Sequence, residues 1–244
     1  MENSQIITME QLKKSKSFVS KSGTIYPSPE AIIKPMKALI KGEHYIQATA
    51  SNSNANVDKT INLAYDRFSL ISKIKIDEQI NFEIGILVAF DLKNPTIKCF
   101  YGTRVNSCLN LSVFTEKGIV KTSLLDSTDN IIKEIETNFG NVKELIKGET
   151  EKIESMKKTV FNESQFRELI GRMIIKHQSL PSSSGINSIL SGVSELANPK
   201  SKYFFSKQNN SLWNIYNSFT EYNSQKVHFF DQPEKALNLY TMLN

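Results

Sequence analysis

Phe82 to Phe90 reads FEIGILVAF. A nearly continuous apolar run rich in Ile, Val and Phe is what a central β-strand needs when both its faces are covered. The chain on either side keeps the same character. Tyr45 to Ala50 reads as a strand, and Ser51 to Asp58 (SNSNANVD) as a polar turn or loop. Ile61 to Ile76 alternates toward its end, with Phe68, Leu70, Ile74 and Ile76 set against Ser69, Ser72, Lys73 and Lys75. Downstream, Asp91 to Pro95 supplies turn chemistry and Thr96 to Tyr101 resumes as a strand. Cys108 to Thr115 and Ile119 to Leu124, joined by Glu116-Lys117-Gly118, read as a hairpin. Five or six strands follow one another across residues 45–125 with no helix long enough for a parallel crossover. The expectation is an α+β fold whose sheet is mostly antiparallel.

The period changes at Asp126. Ile131, Ile132, Ile135, Phe139, Val142, Leu145 and Ile146 recur every three or four residues, which predicts an amphipathic helix over 127–147 with Gly140 and Gly148 as its weak points. Glu149 to Val160 continues as an exposed helix. Asn162 with Gln165 three residues on makes a capping-box pattern ahead of the next helix. Leu180 to Gly185 (LPSSSG) is a loop, and 185–196 and 210–222 follow as helices. A last helix opens with Asp231 as N-cap, Pro233 just inside and Glu234 at N3. Before the β block, Glu30 to Lys41 predicts a short helix broken near Pro35. Residues 1–30 read as flexible or peripheral. The remainder, 31–244, reads as one α+β domain with a β-rich half (45–125) and a helical half (126–244).

The 244 residues are 39% apolar and carry 30 Lys and Arg against 25 Asp and Glu, a net charge of +5. That surplus suits an anionic partner and bears on association rather than on fold. Cys99 and Cys108 are the two cysteines, too few for a disulfide framework, and read as small buried hydrophobes. Met1 to Ser20 lacks a signal-type apolar core, and no run approaches the ~18 apolar residues of a membrane span. A cytoplasmic protein is expected.

Catalytic patterns are missing. The three histidines, His44, His177 and His228, stand at no metal-ligand spacing, and there is no phosphate-binding glycine loop and no nucleophile elbow. Asp77, Glu78, Asp91 and Asp126 fall at strand ends or turns, where spacing gives no support for a metal pair. No enzyme, no metal and no cofactor are expected. The β block does interleave bases with aromatics. Lys98, Phe100, Arg104, Lys117 and Lys121 could stack bases and neutralise phosphates from one sheet face. Strand alternation sends Lys98 and Phe100 to one side, and Cys99 and Tyr101 to the other. Whether the aromatics are binding face or core stays open at this point.

Two stretches carry a resemblance. TIKCFYGTRVNSCLNLSVF (Thr96–Phe114) holds Cys108, Asn110 and Leu111; SLWNIYNSFTEYN (Ser211–Asn223) holds Trp213, Tyr216, Asn217 and Thr220. With FNESQFRELIGRM (Phe161–Met173) between them, they resemble a family of phage- and plasmid-borne proteins of unknown function, in particular its Bacteroidota prophage branch. The resemblance covers about residues 60–244. It implies a mobile-element origin and transfers no activity; Cys108, Asn110, Trp213, Tyr216 and Asn217 also have a structural reading as packing and backbone-satisfying residues. The resulting expectation is a phage or plasmid accessory protein that binds nucleic acid, single-stranded DNA above all, to anneal or protect it without catalysis. Such a protein would work in the host cytoplasm, as a homo-oligomer. The alternative is an interaction protein, either a virion component or an inhibitor of a host defence or transcription factor.

Overall fold

The computed structural model describes residues 4–13, 18–19, 25–26, 28–39, 43–50, 65–90, 96–105, 111–123, 128–176, 191, 200, 211–224 and 229–243. The elements, in chain order, begin with β1 (Ser4–Ile7), α1 (Met9–Leu12), β2 (Phe18–Val19), β3 (Ile25–Tyr26), α2 (Pro29–Leu39) and β4 (Glu43–Ala50). They continue with β5 (Tyr65–Lys75), β6 (Ile80–Ala89), β7 (Thr96–Val105), β8 (Leu111–Ser112) and β9 (Ile119–Ser123). The helices that follow are α3 (Thr128–Phe139), α4 (Val142–Lys158), α5 (Glu163–Lys176), α6 (Leu212–Ser224) and α7 (Gln232–Leu243).

The fold is α+β, as the strand and helix periods require. A seven-stranded antiparallel sheet runs β1-β4-β5-β6-β7, with β8 and β9 both on the far edge of β7; β2 and β3 form a separate ribbon. The β5–β6 hairpin turns on Asp77, whose carboxylate accepts from the Gln79 and Ile80 amides at 2.7 and 2.8 Å. The FEIGILVAF run is the central strand, paired along its length with β5 and β7.

Alternation along β5, β6 and β7 sorts the core into two faces. On the first face, Phe68, Leu70, Phe82, Ile84, Ile86, Val88, Ile97, Cys99 and Tyr101 meet Leu12 of α1, Ile32 and Ile33 of α2, and Ile131 and Phe139 of α3. On the second face, Ile71, Leu87, Ala89, Phe100, Leu111 and Val113 meet Phe229, Phe230 and Ala236. A third cluster closes one end of the sheet. There Ile80, Val105 and Phe114 receive α4, α5, α6 and α7 through Ile153, Met156, Leu169, Trp213, Tyr216, Leu239 and Leu243.

Four expectations need correction. The first concerns residues 1–30, expected to be peripheral. Within them β1 pairs with β4, and Ile7 and Leu12 lie in the main core. The capping box of Thr8 and Gln11 starts α1 at this point. Second, α2 runs through Pro35 to Leu39 without a break; one missing backbone donor is tolerated where Ile32 and Ile33 are fully packed. With α1 and α2 lying between β1 and β4, the helices are not confined to the C-terminal half. Third, β8 and β9 are not a hairpin. β7 is long enough to pair with both: Thr103 and Arg104 face β8, while Thr96 to Phe100 face β9. The chain passes between them at Gly102, where a Cβ would stand 2.1 Å from the Ser112 carbonyl oxygen. Fourth, the single helix expected over 127–147 is two helices. It breaks at Gly140, one of its two weak points, and α4 restarts from an Asn141 N-cap.

The Asn162–Gln165 capping box forms as the sequence requires, with both reciprocal bonds at 2.9 Å. The helix expected over 185–196 and the loop over 180–185 lie outside the described residues, except for residue 191.

Candidate functional site

The second face differs chemically from the first. Strand register places Tyr45 and Gln47 (β4), Arg67, Ile71 and Lys73 (β5), Glu83, Gly85 and Leu87 (β6), and Lys98, Phe100 and Arg104 (β7) on the same side of the sheet. Charges and apolar groups therefore share one surface. Two separate constellations result.

The first is a latch between the sheet and α7. The Lys98 ammonium, 7% exposed, donates to Glu234 Oε2 at 2.7 Å and to the Phe230 carbonyl at 3.3 Å. It also stands 3.5 Å from Asp231 and 4.0 Å above the Phe230 ring. Lys121, on the neighbouring strand, pairs with the other oxygen of Glu234. Burial alone would raise the Glu234 carboxyl, but the hydrogen bonds from Lys121 and Lys98 hold it below its ordinary value. Two cations meet two carboxylates here, and the balance is complete.

The second is a cavity of about 620 Å³ over β4, β5, β6 and β7, walled on the far side by Phe229 and Gln232 at the approach to α7. Ile71, Leu87, Phe100 and Leu111 make an apolar floor. Gly85 permits that floor: a Cβ there would lie 2.4 Å from the Phe100 ring, so only glycine lets the ring lie down against β6. Ile6 and Glu43, both exposed, stand at the outer end with half-buried His44 and Gln47. His44 Nδ1 is 2.6 Å from Ser72 Oγ. Burial, assisted by Lys37, lowers the His44 pKa, so the imidazole is neutral at pH 7.

At the inner end of this cavity Arg104 Nε donates to Glu83 Oε2 at 2.7 Å. Glu83 is 0% and Arg104 9% exposed. The Lys73 ammonium approaches the second carboxylate oxygen, Glu83 Oε1, at 3.9 Å and lies 4.7 Å above the Tyr45 ring. Oε1 has no hydrogen-bond partner among the described residues. Burial, and after it the Glu83 charge, pushes the Tyr45 phenol well above its usual range. Glu43, the cross-strand partner of Lys73 on β4, adds a second carboxylate to the cavity lining.

The basic and aromatic residues expected to bind nucleic acid are therefore divided. Phe100 (1% exposed) and Arg104 enter the cavity, Lys98 and Lys121 enter the latch, and Lys117 stands exposed on the 3-10 turn before β9. Phe100 offers no open stacking surface while α7 is docked. Trp213 and Tyr216 lie in the end cluster with Phe114 and Tyr240. Tyr216 accepts from the Val113 amide and donates to the Ala236 carbonyl, tying α6 to the sheet and to α7. Asn217 donates to the Trp213 carbonyl inside its own helix. Cys108 and Asn110 lie outside the described residues.

Sequence reasoning did not single out Lys73, Glu83 or Tyr45 as a group. A lone Glu inside FEIGILVAF was the signal available: a carboxylate in the middle of a doubly covered strand needs a buried cation, and the next strand supplies Arg104 on the same face, diagonal to Glu83 and two residues past its register partner Gly102.

The geometry defines an α+β protein with an antiparallel sheet covered on both faces and a half-open cavity on the second. No protein-family model, curated protein or solved structure matches the chain. Among the described residues no group of His, Cys, Asp and Glu could hold a metal ion, and no helix is long and apolar enough to cross a membrane.

Proposed function

We propose that this chain acts by binding, without catalysis, as an accessory protein of a phage or plasmid, and that its ligand enters the cavity on the second face of the sheet. The observation that carries this reading is the cavity itself: about 620 Å³, with an apolar floor of Ile71, Leu87, Phe100 and Leu111 and polar side chains around it. Ligand sites commonly have this size and combine apolar surface with polar groups that fix orientation. The residues around it suit binding better than turnover. The Tyr45 phenol is held protonated, His44 is engaged with Ser72, and Arg104 is committed to Glu83, so none of these three stands ready as a general base near pH 7. The mobile-element origin rests on the resemblance of the Cys108–Leu111 and Trp213–Thr220 motifs.

The test is binding of 8-anilinonaphthalene-1-sulfonate, whose fluorescence rises in an apolar site. Saturable one-to-one binding that is lost in Leu87→Trp supports the cavity. A signal unchanged in that variant places the dye elsewhere and removes the basis of the reading.

A second reading keeps nucleic acid as the partner, and the net charge of +5 favours it. Lys117 and Lys121 are the members of the expected set with exposed side chains, Lys121 at 55%. A labelled single strand of about 30 nucleotides should bind at low salt and release steeply as salt rises. Lys117→Ala with Lys121→Ala should weaken that binding. An absence of binding at low salt would end this reading and leave the cavity one untouched.

A further inference from the structure

The two halves of α4 are held in different cores. In its first turns Val142, Leu145 and Ile146 pack against the first face of the sheet and are only partly buried. In its last turns Ile153 and Met156 are fully buried in the end cluster. There the Leu212 amide also donates to the carbonyl of the C-cap residue Thr159 at 2.8 Å, and Val160 bridges to Ser211. Gly148 stands at the junction of the halves, and a Cβ there would meet nothing within 4 Å. Packing therefore does not ask for glycine at this position, where it weakens the helix. The next residue, Glu149, is 1% exposed, and its Oε2 has no hydrogen-bond partner among the described residues. Lys152 stands 3.5 Å from Oε1 and is itself partly exposed.

We infer that α4 is a proton-controlled hinge: with Glu149 protonated the helix lies closed along its length, and on ionisation its first half, 142–147, lifts about Gly148 and lets water reach the carboxylate. A neutral carboxyl is tolerated at this depth, whereas a carboxylate with one bare oxygen is costly. The first half gives way because it buries less apolar surface than the half fixed by Ile153, Met156 and Thr159. Lys152 lowers the carboxyl from the same helix, so it does not tie Glu149 to the body. Tyr101 of β7, Tyr216 of α6 and Tyr240 of α7 are the titratable groups that interact with Glu149 from the elements around it, and burial raises all three phenols, which are neutral near pH 7. Lys143, Glu144, Lys147 and Glu151 lie exposed on the outer side of α4. Burial raises the Glu149 carboxyl from 4.5 to about 7, which agrees with the geometry. The closed form holds the proton more tightly, so it is favoured in acid and yields as pH rises through about 7. The lift uncovers the part of the first face that Val142, Leu145 and Ile146 cover.

The experiment is hydrogen exchange read by mass spectrometry on the full chain between pH 5 and 8, expressed as protection relative to the intrinsic rate at each pH. Wild type should lose protection over 142–149 by about tenfold or more across that range, while 153–158 holds. Trp213, the one tryptophan in the chain and a member of the end cluster, should keep its emission. Glu149→Gln should abolish the pH dependence and keep 142–149 protected at pH 8. Gly148→Ala, for which the helix has room, should raise protection over 142–149 and move the transition to higher pH. Protection that is flat with pH in wild type, or that still falls in Glu149→Gln, would overturn Glu149 as the control. Loss over 142–149 and 153–158 together, with a red shift of Trp213 emission, would overturn the hinge. Unchanged exchange in Gly148→Ala would overturn Gly148 as its pivot.

Discussion

The two faces of one sheet solve the burial problem in opposite ways. On the first, every inward position of β6 is an apolar side chain (Phe82, Ile84, Ile86 and Val88), and helices that precede and follow strands β4 to β9 in the chain close over it. On the second, the same strand offers Glu83, a glycine and Leu87, and the cover above it is incomplete. An apolar face is stable with any well-fitting cover, because burial energy scales with area and has no direction. A charged face is stable only when each charge finds its partner. That requirement fixes Arg104 on Glu83 and α7 on Lys98, and it sets Lys73 between the Glu83 carboxylate and the Tyr45 ring. The second face is thus the more specific of the two, and it is the face to which the proposal above assigns the ligand.

Substitutions should break this comparison in order of how much charge they strand. Arg104→Met leaves Glu83 buried without its hydrogen-bonded partner and should cost about 3–5 kcal/mol in urea unfolding. The double variant Glu83→Leu/Arg104→Met should recover most of that loss. On the first face Phe82→Ala should cost a similar amount, about 3–5 kcal/mol, through the cavity it leaves. Pairing it with a second truncation such as Ile84→Ala should deepen the loss, since two holes do not compensate each other. Recovery on one face and accumulation on the other is the signature of the difference.

The end cluster supplies a pH control that lies on neither face. Glu149 is buried on α4, and burial raises its carboxyl from 4.5 to about 7 against the opposing effect of Lys152. Lys152 on its own helix and Tyr101, Tyr216 and Tyr240 on the elements around it are the titratable groups that interact with it. Because the folded value is raised, the native state holds the proton more tightly. The stability contributed by this group is full below pH 4.5 and is lost as pH rises through about 7. The effect is on the order of 3 kcal/mol. Glu149→Gln should flatten the pH dependence between 5 and 8 and raise stability at pH 8.

Smaller effects test the floor and the latch. Gly85→Ala drives a methyl into the Phe100 ring and should cost about 1–3 kcal/mol as the ring is forced up into the cavity; it should also weaken dye binding. Glu234→Gln removes the charge that Lys98 and Lys121 share and should cost about 1–2 kcal/mol. The sign with pH follows from its depressed carboxyl. The stabilisation is present above the unfolded value of 4.5 and is lost as pH falls through the lower folded value, so wild type and Glu234→Gln should converge in acid.

Much of this architecture was legible in the residues. Alternation assigned Cys99 and Tyr101 to one face and Lys98 and Phe100 to the other, and the structure places them so. What alternation could not tell is whether the face with Lys98 is open, because its cover comes from Phe230 and Glu234, the latter 136 residues further along. A basic residue beside an aromatic has the same local pattern whether a phosphate or a distant glutamate neutralises it. The β8–β9 connection misled for a related reason. A glycine turn between two strand-like runs usually makes a hairpin, but here the long edge of β7 offered pairing to both. Capping chemistry is local, and at Asn162 the sequence pattern and the bonds formed agree.

The central claim is that ligand lies on the second face and not the first, and adjacent residues of β6 report on the two faces separately. Leu87 lines the cavity, and Ile86 lies in the opposite core. Methyl resonances of Ile, Leu and Val followed during a titration with 8-anilinonaphthalene-1-sulfonate give the most direct reading. Saturable shifts are predicted at Leu87, Ile71 and Leu111, with Ile84, Ile86 and Val88 unmoved. Shifts centred on the first-face methyls, or none at all at Leu87, would contradict the claim.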